Sequence, residues 1–495
     1  MSKPEPAEAG HRLRRNLSTW GAVGLSVALL GPSMASNLNP QEPAARVGAG
    51  VPLVFLLSTV GVLLVAHGFI RMSQHMSHAG SLYGWIGAVF GRRAGFVAGW
   101  LLLGTYLAFA VTTTAGSAVF LSDFLRGTGV WPGVNWLVPA AVAFAGISRL
   151  ASRPARAATR ALLALEFATM GLFTAVAAVV LVKVATGGAP GHQRLALSAL
   201  ASPHAAAPAL FSAVTFGFLS FAGFEAASTL GEETRDPRRA IPRALTGTVL
   251  LAGGFFVFVT TAETLGYGTD AAGLARFTHS SSLVGDLAGA YISPGVGHLV
   301  TACAAVGAFG SALACAVSAS RLLFAMGRDG FISPRLGDVR GPDGVPARAL
   351  ATVLAAVAVG LAGARVFATP SATDIFFWSA TIGSLVLLLA YAFTLVGAVK
   401  YLFLSGPRRA RPAELPIPVA GLLFIGYVLY ANVHPAPRPP YDSFPYVAAA
   451  WLLAGVAAAL VLRPAPAPAD AASGNGLDDG DPREPVLPEP VPPAG

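Results

Sequence analysis

Charge is what this chain has least of. Asp, Glu, Lys and Arg make up 12% of its 495 residues, about half the usage of an average soluble domain, while 54% are hydrophobic. That much apolar side chain exceeds what one soluble core can hide, and it points to lipid as the solvent. Cysteine is almost absent. Cys303 and Cys315 lie in one apolar segment, where twelve residues of helix would hold them about 18 Å apart, too far for a disulfide. There is no glycine-rich phosphate loop, zinc-ligand spacing or Gly-x-Ser-x-Gly elbow. Nothing in the pattern therefore asks for ATP, a metal, a cofactor or nucleophilic catalysis, and the expectation is a protein that is not an enzyme. A cleavable signal sequence is also missing, and HRLRRN (11–16) leads into a long apolar run, which suits a first helix retained in the membrane. The formal net charge of +9 forms no basic patch, because the charges sit in short clusters between long uncharged stretches. Nucleic acid is not the expected partner.

What the chain has instead is apolar runs. A spanning helix takes about 20 mostly apolar residues, and twelve runs answer to that: 18–38, 50–70, 94–123, 131–148, 158–184, 206–230, 243–266, 293–325, 348–366, 374–400, 414–432 and 443–462. Residues 77–93 are shorter and mixed, as expected of a helix lying at the cytoplasmic face. Cytoplasmic loops are enriched in Lys and Arg. With the N-terminus inside, 26 of the 33 basic residues fall in cytoplasmic segments and 7 outside. That alternation predicts an all-α, multi-pass membrane protein with both termini cytoplasmic. Its parts are an N-terminal segment (1–17), a transporter-like domain (18–462) and a Pro-rich, acidic tail (463–495) expected to be disordered.

Two spans carry residues poor for a continuous helix. The first reads GLSVALLGPSMASNLNP (24–40), with Gly31-Pro32 near its middle, and the sixth reads FGFLSFAGFEAAS (216–228), with Gly223 near its centre. Gly and Pro at corresponding places in two halves of a chain point to discontinuous helices around a midplane site. Broken helices expose amides and carbonyls that hydrocarbon cannot satisfy. The amides suit a carboxylate and the carbonyls an ammonium, so a site offering both would fit an amino acid. The simpler reading is that Gly and Pro only kink these helices or let them pack closely.

Two acids fall well within spans, Glu166 in LLALEFATMGLF (162–173) and Glu225. Such residues are costly in lipid and usually face a cavity or a partner. Either can carry a coupling proton, help hold a cation, or lock packing through a hydrogen bond. Glu263 and Asp374 lie toward the outer ends of their spans, where water is expected to reach them. His67, His75 and His78 read as interfacial polar residues, because no Cys or acid near them in the sequence completes a metal site.

Three longer motifs carry a resemblance. GFEAASTLGEETRDPRRAIPRA (223–244), SRLLFAMGRDGFISPRLGDVRGPDGVPARA (320–349) and AGSLYGWIGAVFGRRAGFVAGW (79–100) resemble, in order, the sixth span with its loop, the eighth-span end with an Arg-Asp-Gly loop, and the first cytoplasmic loop helix of the amino acid–polyamine–organocation superfamily of secondary transporters. The resemblance covers roughly residues 18–462. It implies a five-plus-five inverted repeat followed by two extra helices, with substrate held between discontinuous helices 1 and 6. Around Gly31, the amides of Ser33, Met34 and Ala35 would meet a substrate carboxylate. The carbonyls of Phe221 and Ala222, beside Gly223, would meet an amino group, with Phe218 and Phe221 as aromatic wall residues. Glu225 falls on the family's glutamate after the sixth-helix glycine, and Glu166 falls in the fifth span where proton-coupled relatives place a lysine. Both are therefore candidates for ion coupling.

The helix-one stretch departs from the family's glycine-rich run. It reads GPSMA, in which Pro32 has no amide to donate and Met34 fills space that glycine would leave open. That weakens the usual carboxylate grip and favours a substrate lacking a carboxylate. In the third span, Thr113 of Thr112-Thr113-Thr114 can line the cavity, although membrane threonines also bond back to their own helix. The resemblance implies a cell-membrane permease for amino acids or related organic amines, working by alternating access with a proton as the coupling ion. The alternatives are an exchanger without proton coupling and a non-transporting ligand sensor on the same fold.

Overall fold

The computed structural model describes residues 23, 26, 27, 30–76, 81–153, 156–197, 205–225, 237–338, 346–367, 370–435 and 437–462. The N-terminal segment 1–17, most of the charged loop EETRDPRR and the tail 463–495 lie outside these residues. All regular elements among the described residues are helical. Val23, Ser26, Val27 and Leu30 are helical and precede α1 (Pro32–Leu38) and α2 (Gln41–Val47). These are followed by α3 (Val51–His75), α4 (Ser81–Phe90), α5 (Arg92–Gly127), α6 (Leu137–Ala151), α7 (Arg156–Ala185) and α8 (Ala207–Ser220). The second half holds α9 (Pro237–Tyr267), α10 (Ala271–His279), α11 (Leu283–Tyr291), α12 (Pro294–Arg328), α13 (Ala347–Phe367), α14 (Ala372–Val399), α15 (Pro416–Ala431) and α16 (Phe444–Val461).

Among the described residues, eight helical stretches are long and apolar enough to cross a bilayer, and three shorter apolar helices accompany them. Run 206–230 leaves the helix after Ser220, close to the break expected at Gly223, whereas run 131–148 differs from the sequence reading and becomes helical only at Leu137, after the turn-rich WPGVNW. Two short helices between α9 and α12, α10 and α11, were not anticipated. Asp270 caps the first of them, accepting from the Gly273 amide at 3.1 Å.

The helices pack chiefly as α5 along α12 and α14, and α9 along α3. Trp100 of α5 and Trp451 of α16 stack with centroids 4.5 Å apart, and each indole donates to the other's main-chain carbonyl, at 2.9 and 3.0 Å. That satisfies both polar edges of two large apolar rings. Sequence motifs far apart in the chain meet at the Arg-rich end. Tyr83 of α4 donates to Asp329 at 2.5 Å, Arg92 donates to the Asp329 carbonyl at 2.8 Å, and the Arg92 guanidinium lies 5.4 Å from the centre of the Phe331 ring. Nearby, Arg71 of α3 grips Glu414 with two nitrogens, at 2.7 and 2.5 Å, and ties α3 to the turn before α15. His67 Nε2 lies 3.6 Å from the same carboxylate, an acid partner that sequence distance had hidden.

The helices α10 and α11 fasten to the first ones. Gln41 Nε2 donates to the Ser280 carbonyl at 2.6 Å, and the Val284 amide donates to Asn37 Oδ1 at 2.7 Å. Tyr267 reaches the Leu283 carbonyl at 3.1 Å, drawing α11 onto the end of α9. One expectation falls here. Glu263, placed by sequence where water reaches, is 1% exposed, because α10 and α11 pack against the end of α9 that carries it. Asp374 is exposed as expected and completes a capping box with Ser371.

Candidate binding site

The first break centres on Gly31. Its φ of +57° and ψ of 53° are left-handed, a conformation that a side chain makes costly. Pro32 then restarts the helix at its first position, where no amide is needed. A methyl group on Gly31 would come within 2.2 Å of Ser311 Oγ of α12, so the break is both turned and tightly packed.

Glu166 of α7 answers this break. Its Oε1 accepts from the Ser33 amide at 2.8 Å and its Oε2 accepts from the Ser33 hydroxyl at 2.9 Å. Glu166 is 5% exposed and Ser33 is fully buried. Gly307 of α12 closes over the pair, since a methyl there would sit 2.3 Å from Ser33 Oγ and 2.8 Å from Glu166 Oε2. The amides expected to be open toward a substrate carboxylate are thus partly taken. The Ser33 amide meets Glu166, and the Ala35 amide bonds to the Gly31 carbonyl at 2.9 Å. Met34 is buried and fills space as expected, its sulfur 3.5 Å from where a methyl on Gly116 would lie.

The second break follows α8. The chain turns through Phe221, Ala222 and Gly223, the last at φ +107°, and enters a short 3-10 turn at Phe224-Glu225. Glu225 Oε2 accepts from the Gly223 amide at 3.1 Å and from the Tyr391 hydroxyl of α14 at 2.9 Å. Of the two carbonyls expected to be open, that of Phe221 accepts from the Phe224 amide at 3.1 Å. Tyr391 is itself enclosed by Phe69 and Phe224, at ring distances of 5.7 and 5.6 Å. Tyr106 of α5 and Cys315 of α12 lie close enough to Glu225 to feel its charge. The two breaks touch through Asn39, just past α1, whose Nδ2 donates to Ser220 Oγ at the end of α8 at 2.7 Å.

One face of α12 runs past both breaks. Gly307, Ser311 and Cys315 recur every four residues, which aligns them on one side of the helix. Gly307 covers the Ser33–Glu166 pair, Ser311 faces Gly31, and Cys315 lies by Glu225. Eight residues of helix rise about 12 Å, which separates Gly307 from Cys315 along this face. Among the described residues the fully buried charged side chains are Glu166, Glu225 and Glu263, and no Lys, Arg or His joins them. The described residues contain no group of His, Cys, Asp and Glu that could hold a metal ion.

Three expected lining residues have partners outside the two breaks. Phe218 packs on Phe424 of α15 at 6.1 Å, Phe221 on Phe256 of α9 at 5.4 Å, and the Thr113 hydroxyl bonds back to the Phe109 carbonyl at 2.7 Å. Sequence reading missed Tyr391, Gly307 and Ser311. For Tyr391 a signal existed, a lone hydroxyl in the apolar run LVLLLAYAF.

Comparison with known proteins finds transporters. The Branched-chain amino acid permease BcaP of Lactococcus lactis subsp. cremoris is 26% identical over 71% of this chain and 77% of its own length. An uncharacterized transporter of Mycobacterium tuberculosis is 29% identical over 72% of this chain and 76% of its own. The low-affinity putrescine importer PlaP of Escherichia coli K12 is 26% identical over 57% of this chain and 60% of its own. These relatives are transporters and not enzymes. Residues 17–457, which take in both helix breaks, Glu166 and Glu225, match the model of the amino acid permease family, and the chain belongs to that family.

Proposed function

We propose that the chain is a secondary transporter that moves amino acids or related organic amines across the cell membrane by alternating access, coupled to a proton. The observation that carries this reading is the bond pair from Ser33 to Glu166. It joins a broken first helix to a carboxylate 133 residues away, in an interior with no buried base among the described residues. A carboxylate that accepts from an amide and a hydroxyl together clamps α1 to α7. Adding a proton to Glu166 removes the charge that strengthens both bonds, which loosens the clamp. Proton and cargo then bias the same two-state element, as coupled transport requires. The substrate classes follow the printed names of the relatives, which span branched-chain amino acids and putrescine.

On this reading the interrupted stretch through Gly31 is helix 1 of a twelve-span, five-plus-five inverted repeat, and α8 is the first half of helix 6. The excess of Lys and Arg, 26 against 7, orients the chain with both termini in the cytoplasm. Glu225, with Tyr391, sits where an ammonium would be held. Gly31, Met34, Ala35, Ala222 and Gly223 form the backbone of the site, and Phe218, Phe221 and Thr113 form a wall behind it.

The test is uptake by purified protein in liposomes, using labelled amino acids and amines with and without an inward proton gradient. Accumulation that a protonophore collapses is the expected result. Exchange that ignores the gradient would overturn the coupling and leave an antiporter. A panel in which nothing moves but ligand binds would mark a sensor.

A further inference from the structure

We infer that Glu166 is a built-in stand-in for a substrate carboxylate, and that the cargo of this protein is an organic cation with no carboxylate of its own. The inference rests on the transporter reading and narrows its substrate class.

The geometry comes first. The two Glu166 oxygens take two donors of one residue, the Ser33 amide at 2.8 Å and the Ser33 hydroxyl at 2.9 Å. An incoming carboxylate at this break would compete with Glu166 for these two donors. The position is also closed, because Gly307 leaves no room for a methyl beside the pair and Ser311 crowds Gly31 from the same helix face. A second carboxylate could enter only by displacing Glu166 or by standing beside it as a like charge, which a buried site disfavours.

Charge points the same way. An α-amino acid brings one positive and one negative group. Among the described residues the interior presents buried carboxylates and no buried Lys, Arg or His to meet the negative one. An ammonium, by contrast, finds Glu225 with its Tyr391 partner at the second break. A cargo that carries only ammonium groups leaves no negative charge of its own unmatched there.

Leucine and leucinamide differ only in the carboxylate, and they test the inference on the unaltered protein. In proteoliposome uptake, leucinamide and 1,4-diaminobutane are expected to enter at least tenfold faster than leucine at equal concentration. Glu166→Ala, which vacates the Ser33 donors, is expected to narrow the leucinamide-to-leucine ratio at least tenfold. Adding Ser33→Ala to that variant removes the hydroxyl donor but keeps the amide, and should restore part of the wide ratio. Glu166→Gln, which leaves an occupant on Ser33, should keep the ratio wide while losing proton-driven accumulation. The inference is overturned if the unaltered protein takes up leucine as fast as leucinamide, or if Glu166→Ala folds and leaves the ratio unchanged. If no compound moves, the transport reading fails on its own account, and ligand-induced thermal stabilisation decides the rest. Stabilisation by leucinamide and not by leucine would keep the assignment for binding, and equal or absent stabilisation would end it.

Discussion

The two helix breaks are built from the same parts and wired differently. Each turns on a glycine with positive φ, +57° at Gly31 and +107° at Gly223, and each is answered by a buried glutamate. At the second break the glutamate sits on the broken segment itself, where Glu225 accepts from the amide two residues before it and also from the Tyr391 hydroxyl of α14. At the first it is remote, since Glu166 reaches Ser33 from 133 residues away on another helix. A local partner shapes its own turn and travels with it. A remote partner ties two helices, so any motion that separates them must break its bonds, and any ligand that breaks its bonds permits the motion. Under the proposed function, that wiring assigns coupling to the first break and cargo to the second.

The largest expected effect separates the breaks by their packing. Gly31→Ala adds a left-handed strain of about 1–2 kcal/mol and forces a methyl to within 2.2 Å of Ser311 Oγ, for a total loss of about 3–4 kcal/mol with overpacking included. Gly223→Ala is expected to cost at least the strain of its positive φ, about 1–3 kcal/mol. Thermal melting in detergent checks both. Ser311→Gly should recover part of the Gly31→Ala loss and none of the Gly223→Ala loss. Equal recovery of the two would erase the distinction.

The next effect separates the breaks by function. Glu166→Gln is expected to abolish concentrative uptake and retain exchange, because it removes the titrating group but keeps a side chain on Ser33. Tyr391→Phe removes one hydrogen bond to Glu225, worth about 1 kcal/mol. It should shift the apparent affinity for an amine severalfold while accumulation persists. Uptake driven normally by a pH gradient in Glu166→Gln, together with its loss in Tyr391→Phe, would exchange the two assignments.

The glycines and glutamates of both breaks were legible in the sequence because each is a rare letter in an apolar run: Gly31 before Pro32, Gly223 mid-run, Glu166 and Glu225 each alone in a span. Their partners were not. Which donor Glu166 meets depends on how α7 is rotated against α1, and one sequence carries no measure of that rotation. A carboxylate for the Ser33 amide was foreseen, but as part of the substrate rather than of the chain. Phe218 and Phe221 were named for their type and position, and their ring partners, Phe424 of α15 and Phe256 of α9, lie too far along the chain to be read from it. Glu263 was misplaced for a related reason. Distance from a span's end indicates contact with water only if nothing covers that end, and α10 and α11, too short and mixed to stand out, pack there.

Glu263 supplies the smallest effect and the sharpest control. It is as buried as Glu225, at 1% exposure, but neither of its oxygens has a hydrogen-bond partner among the described residues, and it answers no break. If burial alone gave an intramembrane acid its role, Glu263 should behave like the other two. If partners give the role, removing its carboxylate should only relieve an unsatisfied group, which protein mutational data put at about 1–3 kcal/mol. Glu263→Gln is expected to leave uptake, accumulation and affinity close to those of the unaltered chain, and Glu263→Met to raise the melting temperature. A loss of accumulation in Glu263→Gln as large as that in Glu166→Gln would show that the proton path runs through α9 as well. The contrast between a remote and a local glutamate would then have to be redrawn among three.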